Sequence, residues 1–299
     1  MSDYSQSCHS TIGGTELEDC SAVINREGSG IAAGSAPADV ELLRGVVGAV
    51  EEAGRRLQER FSPESRPADG AALVGAVEVN DAISTAVLRP ALVALRPGVH
   101  WMERGDGDER IPAGEWWVVD ACEGNVNHVH GMNDWGVVAT LARDAEPVLS
   151  AVAMPAWGET YSSVRGGGAH AGTRRLRVSC KSDLRAALVS TAQAKPDEGP
   201  EARRRHGRSA AAMLETALLV RMAVPTTVEL VRVAAGHLDG FWQFSDVRSG
   251  LMAGALLVSE AGGIVTDARG LAWTGRSDSI VAAGPGVHGS MVAALGGVA

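Results

Sequence analysis

The stretch best suited to chemistry runs from residue 116 to residue 132 and reads WWVVDACEGNVNHVHGM. A short apolar run stops at Asp120, and a second acid, Glu123, follows three residues later. A buried carboxylate without a partner is strongly disfavoured, so the pair indicates a metal ion, a shared proton or a positively charged partner. A solvated acidic turn with an Asx cap is the alternative that the same residues allow.

The elements that must position these acids are predicted from hydrophobic spacing. Apolar residues recur every three or four positions from 39 to 61, which predicts an amphipathic helix, and 117–119 predicts the strand that ends at Asp120. Further helices are predicted at 81–95, 207–222, 226–236 and 251–261, and strands at 73–79, 137–142, 148–154, 159–164, 238–242, 264–266 and 280–282. The charged segment 195–208 is predicted as a surface loop. Alternating helices and strands are typical of a layered α/β enzyme.

Composition narrows the class of partner. The 299 residues carry a net charge of -9, which argues against a nucleic-acid or anionic membrane surface and favours a small molecule or a protein. The four cysteines form no CxxC pair, the N-terminus has no basic and apolar signal, and no uninterrupted apolar run reaches the length of a membrane span. These features predict a cytoplasmic protein. Residues 1–38, rich in Ser, Gly and acids, predict a flexible tail.

Four segments resemble, in order, motifs of the inositol monophosphatase superfamily, which includes fructose bisphosphatases and bisphosphate nucleotidases. They are VVDACEGNVNHVHG at 118–131, PAWGETYSSVRGGGA at 155–169, VAAGHLDG at 233–240 and GALLVSEAGG at 254–263. The resemblance covers most of 39–299 and implies a five-layered αβαβα sandwich. It also implies an N-terminal half at about 39–180, a C-terminal half at about 181–299, and a homodimer.

The resemblance further implies Mg²⁺-dependent hydrolysis of a phosphomonoester, for which hard oxygen ligands are required. Carried over by position, the metal ligands are Glu103, Asp120, Glu123 and the backbone carbonyl of Cys122. Asn125 stands where the family has a threonine that orients the attacking water together with an upstream acid, here Asp81. The substrate-binding positions are Gly124, Asn125, Thr226 and Gln243.

This chain departs from the family pattern at several of these positions. The amide of Asn125 can hold a water but cannot relay its proton. The family's second-metal acid falls on Gly250, and the phosphate-binding turn before a later helix reads Val224-Pro225, where proline offers no N–H. Asp246, four residues before Gly250, is a candidate replacement for the missing acid; capping of the helix or a bond to Arg248 is the alternative. The departures predict that the second metal site is lost.

Three functions follow from these residues. The first is a metal-dependent phosphatase of a phosphorylated polyol, sugar or nucleotide. The second keeps the pocket but uses Asp120, Glu123, His128 and His130 for acid–base chemistry such as dehydration, cyclisation or isomerisation, with little or no metal. His128 then acts in catalysis, whereas packing in an aromatic slot is its structural alternative. The third is a non-catalytic binding relative that retains the fold.

Overall fold

The strands form two β-sheets. Helices pack between the two sheets and on their outer faces. The computed structural model describes residues 37–103, 111–194, 198–244 and 249–298. Residues 1–36 of the predicted tail 1–38 lie outside these ranges, and residues 37 and 38 belong to the first helix instead. The helices are α1 Pro37–Gln58, α2 Gly70–Leu95, α3 Asn125–Val129, α4 Pro200–Leu214, α5 Thr226–Ala234, α6 Ser249–Glu260 and α7 Pro285–Leu295.

The strands of the first sheet follow one another in sequence order, whereas those of the second do not. The first sheet contains β1 His100–Glu103, β2 Glu115–Glu123, β3 Gly136–Arg143, β4 Glu146–Met154, β5 Glu159–Val164, β6 Gly168–Ala171 and β7 Arg174–Arg175. The second has the order β11-β12-β10-β8-β9, from β8 Leu188–Thr191, β9 Leu219–Met222, β10 Gly240–Phe244, β11 Ile264–Thr266 and β12 Ser279–Ala283. Among the strands that the structure describes, β1–β2 is the parallel pair of the first sheet, while β10–β8 and β8–β9 are parallel in the second.

Alternating side chains of β2 place the first sheet between two helical layers. Trp117 and Val119 face a core shared with α1 and α2, whereas Val118 faces a core shared with α5 and α6. On the second sheet, Phe241 joins the α5–α6 core and its neighbour Trp242 packs with α4 and α7. The period of two in a strand directs neighbouring side chains to opposite faces. The predicted five-layered αβαβα sandwich is therefore confirmed.

Three predicted elements are wrong. Residues 73–79 lie inside α2, because Asp69 caps the helix by accepting the Ala72 N–H at 2.8 Å and the helix then runs on without a break. The predicted loop 195–208 contains the start of α4, where Pro200 occupies a first-turn position that tolerates proline. That helix ends at Leu214, so the last residues of the predicted helix 207–222 form β9 instead.

Among the described residues, α2 is the helix whose length and composition would allow it to cross a membrane. Core helices of water-soluble proteins meet the same criterion, and Glu78, Asp81 and Arg89 interrupt the apolar character of α2. The cytoplasmic location and the absence of a nucleic-acid or membrane partner stay predictions.

Candidate functional site

The end of β2 brings two acids into the interior. Pairing with β3 is regular as far as Asp120, and its register then shifts before Glu123, which marks a bulge. Bulges bend a strand and redirect its side chains. Asp120 is 4% exposed and Glu123 is 3% exposed. The Cys122 N–H donates to Asp120 Oδ1 at 3.2 Å, so the bulge itself holds the first carboxylate in place.

Glu123 reaches the beginning of α5. Its Oε1 accepts a hydrogen bond from the Thr227 N–H at 3.2 Å. The first N–H groups of a helix have no partner inside the helix and lie at the positive end of its dipole, which makes them an anion site. Here a carboxylate of the chain itself contacts one of these groups. Pro225 precedes the helix and lacks an N–H, so the turn offers fewer donors to a phosphate.

Gly250 faces the same carboxylate from the first turn of α6. A Cβ at this position would lie 3.8 Å from both carboxylate oxygens of Glu123 and 3.9 Å from Thr227 Oγ1, which is ordinary contact distance. The residue that the family resemblance aligned with a second-metal acid therefore lies beside Glu123 and contributes no side chain. Asp246, its suggested replacement, lies outside the described residues.

Asn125 and Asp81 meet, as the resemblance implied, but both N–H groups of the Asn125 amide are already engaged. Asn125 Nδ2 donates to Asp81 Oδ1 at 2.8 Å and to the Val77 carbonyl at 3.0 Å, while Oδ1 accepts from Asn80 Nδ2 at 2.8 Å. Both amide protons are thus used in tying α3 to α2. In this arrangement Asn125 has no basic atom with which to accept the proton of an attacking water.

His128 is buried among aromatic rings. Its ring lies 5.5 Å from that of Phe61 and 4.6 Å from that of Trp135, both edge-on. Nδ1 accepts from Asn80 Nδ2 at 3.0 Å, and Nε2–H donates to the Leu57 carbonyl at 3.0 Å. The two bonds together require the neutral ring with its proton on Nε2.

Burial lowers the pKa of His128 below its ordinary value, and the charge of Arg60 adds to the effect. The ring of His128 is therefore neutral and packed in an aromatic slot, as its structural alternative predicted, rather than placed for catalysis. His130 is half-buried and follows the last residue of α3, where its Nδ1 bonds to the Val126 carbonyl at 2.7 Å.

Asn80 is a central residue that sequence reasoning missed. Its amide donates to both Asn125 and His128, and its Oδ1 accepts from Arg60 Nε at 3.2 Å. The one signal in the sequence was a polar residue directly before Asp81 in a largely apolar segment. Only the fold shows that this residue faces inward, where it is 1% exposed.

The turn between β2 and α3 is joined to the turn before α5. Gly124 has a φ of 76°, and a Cβ there would meet the Asp134 carbonyl oxygen at 2.6 Å and Pro225 Cγ at 2.8 Å. Asn127 Nδ2 bridges the same pieces by donating to the Asp134 carbonyl at 2.8 Å and the Val224 carbonyl at 2.9 Å. Glycine and asparagine are thus needed for the close approach of the two turns.

The remaining predicted residues lie at the edges of this region. Thr226 Oγ1 donates to Gln243 Oε1 at 3.0 Å, which links the first residue of α5 to β10. Glu103 ends β1, whose register pairs it with Val119 beside Asp120. The side chain of Glu103 lies outside the described residues.

Among the described side chains, the oxygen donors fit one magnesium ion and do not complete the family's second site. Mg²⁺ is commonly held by one or two carboxylates, several waters and substrate phosphate. Asp120 and Glu123 supply two buried carboxylates. In the part of the chain that the structure describes, no three His, Cys, Asp or Glu side chains are grouped as a metal site. Gly250 supplies no oxygen from a side chain where the second ion would need one.

Comparisons with known proteins agree with this architecture. Residues 39–296 match the model of the inositol monophosphatase family. The inositol-1-monophosphatase of Rhizobium meliloti is 33% identical over 241 residues, which cover 77% of this chain and 86% of that protein. The Nus factor SuhB of Pseudomonas aeruginosa is 32% identical over 154 residues, or 52% of this chain and 57% of its own. The solved structure of Mycobacterium tuberculosis SuhB superposes with a TM-score of 0.71 at 27% identity, over 87% of this chain and 97% of that one.

Proposed function

The chain belongs to the inositol monophosphatase family, and we propose that it hydrolyses a small phosphomonoester slowly, with one Mg²⁺ ion held by Asp120 and Glu123. The observation that carries the proposal is the pair of buried carboxylates on either side of the β2 bulge. Several relatives are named inositol-1-monophosphatase, and that activity supports a phosphorylated polyol, sugar or nucleotide as the substrate class.

Under this proposal Asp120 and Glu123 would hold the metal ion, whereas Asn125 and Gly250 would not contribute to catalysis. When bound, Mg²⁺ neutralises the charge on phosphate oxygens and polarises water. The Cys122 N–H orients Asp120, and the Thr227 N–H orients Glu123, so neither carboxylate needs to reorganise. Asn125 cannot receive a proton, and Gly250 adds no ligand. Loss of a charged group that acts in the transition state typically costs several kcal/mol, and we therefore expect turnover well below that of a complete family site.

A second candidate is acid–base chemistry without phosphate release, in which Asp120 and Glu123 act on a non-phosphorylated substrate. The observation that favours it is the contact of Glu123 with the Thr227 N–H, because this contact places a negative charge at the helix end where an anionic substrate would otherwise bind. His128 supports neither candidate as a catalyst, since both of its ring nitrogens are engaged by the fold.

Calorimetry with Mg²⁺ and phosphate release from a panel of phosphomonoesters test the proposal together. We expect binding of one ion and slow release that requires Mg²⁺, both lost in Asp120→Asn. Glu215→Gln, at an exposed acid at the end of α4, is the control that should retain both. A folded wild-type protein that binds no Mg²⁺ and releases no phosphate from any ester would overturn the proposal and favour the second candidate or a binding role.

Glu123→Asp tests whether the contact of Glu123 with the Thr227 N–H keeps phosphate away from the start of α5. The shorter side chain should withdraw from the Thr227 N–H and free it for an anion, so a phosphatase should bind inorganic phosphate more tightly in the presence of Mg²⁺. Weaker phosphate binding in this variant would instead show that the longer carboxylate is required where it lies.

A further inference from the structure

Arg232 lies where α5 meets two other parts of the fold. Its side chain is 19% exposed and projects from the second turn of α5. One terminal nitrogen donates to Glu229 Oε1, one turn earlier on the same helix, and the other donates to Asp134 Oδ1 at 2.8 Å. The guanidinium also lies over the ring of Trp157, 5.0 Å from its centre. Arg232 therefore joins α5 to the segment between α3 and β3 and to the turn after β4.

Glu229 is the buried part of this junction. It is 1% exposed, and its second carboxylate oxygen accepts a hydrogen bond from Ser190 of β8. Arg221 of β9 lies 3.7 Å from the same oxygen. A carboxylate this deeply buried needs positive partners. A planar guanidinium that bonds to two carboxylates and stacks on an indole ring has little freedom to move. Arg232 is thus held in one position relative to α5 and the second sheet.

Asp134 connects this junction to the pair of acids. Its carbonyl oxygen accepts from Asn127 Nδ2, and the same nitrogen donates to a carbonyl of the turn just before α5. Asp134 therefore holds α5 at two places, through Asn127 at the preceding turn and through Arg232 in the second turn of the helix. Between these two places lies Thr227, whose N–H donates to Glu123. The separation of Glu123 from α5 thus depends on where Asp134 holds the helix.

We propose that Arg232 is a positioning residue of the candidate site: through Asp134 it sets the distance between the start of α5 and Glu123, and so the placement of a carboxylate that would bind Mg²⁺. The effect on metal binding rests on the proposed function, whereas the effect on the contact of Glu123 with Thr227 does not. Groups that orient the ligands of a metal typically change its affinity about 10- to 100-fold when they are lost. Arg232 and Asp134 lie outside the positions that the family resemblance assigned to metal or substrate.

Asp134→Ala in the full chain tests the positioning role. The variant removes the Asp134 acceptor at a residue that is 30% exposed, and it leaves Arg232 paired with the buried Glu229. The Thr227 N–H has no partner inside the helix, so its hydrogen exchange reports on the contact with Glu123. By NMR without added metal, we expect this N–H to exchange about fivefold faster, while N–H groups in the middle of α5 keep their rates. Asp134→Asn, which retains an oxygen acceptor, should recover most of the protection.

Glu146→Ala is the matched control. It removes an acid of similar exposure from an ion pair with Arg165, at the opposite end of β4 from the turn that holds Trp157. Neither the exchange of the Thr227 N–H nor the binding of Mg²⁺ should change in this variant. In Asp134→Ala, calorimetry should give a dissociation constant for Mg²⁺ that is raised about tenfold.

The two measurements separate the positioning role from the proposed function. Unchanged exchange of the Thr227 N–H in Asp134→Ala, or equal acceleration throughout α5, would overturn the positioning role, because the ion pair would then be dispensable or only stabilising. Faster exchange with an unchanged Mg²⁺ dissociation constant would overturn its effect on the metal. A wild-type chain that binds no Mg²⁺ would contradict the proposed function instead, and the exchange rates would still decide the role of Arg232.

Discussion

The candidate site has two sides that differ in how their polar groups are satisfied. Its α3 side comprises Asn80, Asp81, Asn125 and His128, and its α5–α6 side comprises Glu123, Thr227 and Gly250. On the α3 side, amide and ring atoms bond to one another across α2 and α3. On the α5–α6 side, a buried carboxylate lies beside a glycine whose missing side chain would contact it.

This difference indicates that the α3 side mainly stabilises the fold, whereas the α5–α6 side is available for ligand binding. A hydrogen-bond network whose amide and ring N–H groups are all engaged rigidifies its surroundings, and it leaves none of those protons for a substrate. A buried carboxylate beside unused space retains the capacity to bind a cation or to exchange a proton. Changes on the α3 side should therefore appear mainly as lost stability, and changes on the α5–α6 side as altered ligand binding.

The largest effect is expected from Asn125→Leu. The substitution leaves the Val77 carbonyl and the Asp81 carboxylate without their Asn125 donor, and we expect the free energy of unfolding to fall by about 3 kcal/mol. Urea unfolding measures it. Asn125→Thr, whose hydroxyl can still donate to Asp81, should lose less, and Asn133→Ala at an exposed position should be neutral. A loss in Asn125→Leu no greater than in Asn133→Ala would show that the α3 side is not a structural network.

Gly250→Asp should have an intermediate effect that Mg²⁺ reverses. The new carboxylate would lie next to that of Glu123, and repulsion at about 4 Å costs roughly 2 kcal/mol between the surface and bulk-water limits. We expect a lower melting temperature without metal and a larger rise with Mg²⁺ than in the wild type. Gly250→Asn has nearly the same shape without the charge and is the matched control. Equal responses to Mg²⁺ in the two variants would contradict a cation site on the α5–α6 side.

The smallest effect is a pH dependence assigned to His128. Its folded pKa is lowered by burial, so the unfolded state takes up a proton first as the pH falls. Stability is therefore complete above the unfolded pKa of about 6.5 and decreases below it, until the folded pKa is reached. We expect about 1 kcal/mol of this loss between pH 7 and pH 5.5 to be absent in His128→Phe.

Unfolding free energies of the two proteins at several pH values measure this difference. His288, whose pKa is also lowered by burial, contributes a loss of the same sign in both proteins and cancels in the comparison. His100→Phe, at an exposed histidine, should keep the wild-type slope. An unchanged slope in His128→Phe would mean that its ring is not held neutral by the fold.

Much of the fold follows from local pattern. The spacing of apolar residues predicted α1 and α6, and alternating runs predicted β3, β4 and β5. The prediction of a strand at 73–79 is wrong because β-branched and small apolar residues allow either conformation. The cap at Asp69 starts a helix there, and the helix continues without a break through these residues. The β8 strand and α7 were not predicted, because their short apolar runs have no periodicity that distinguishes them from other buried segments.

The sequence by itself showed two acids at the end of an apolar run, and its resemblance to the family predicted that Asn125 stands at a hydroxyl position and Gly250 at an acid position. Only the tertiary structure decided what these residues touch. Asn80 meets Asn125 and His128 across 45 and 48 residues of chain, and Gly250 faces Glu123 across the α5–α6 layer. A side chain's partners depend on how distant elements pack, and the spacing of residues along one element carries no information about that packing.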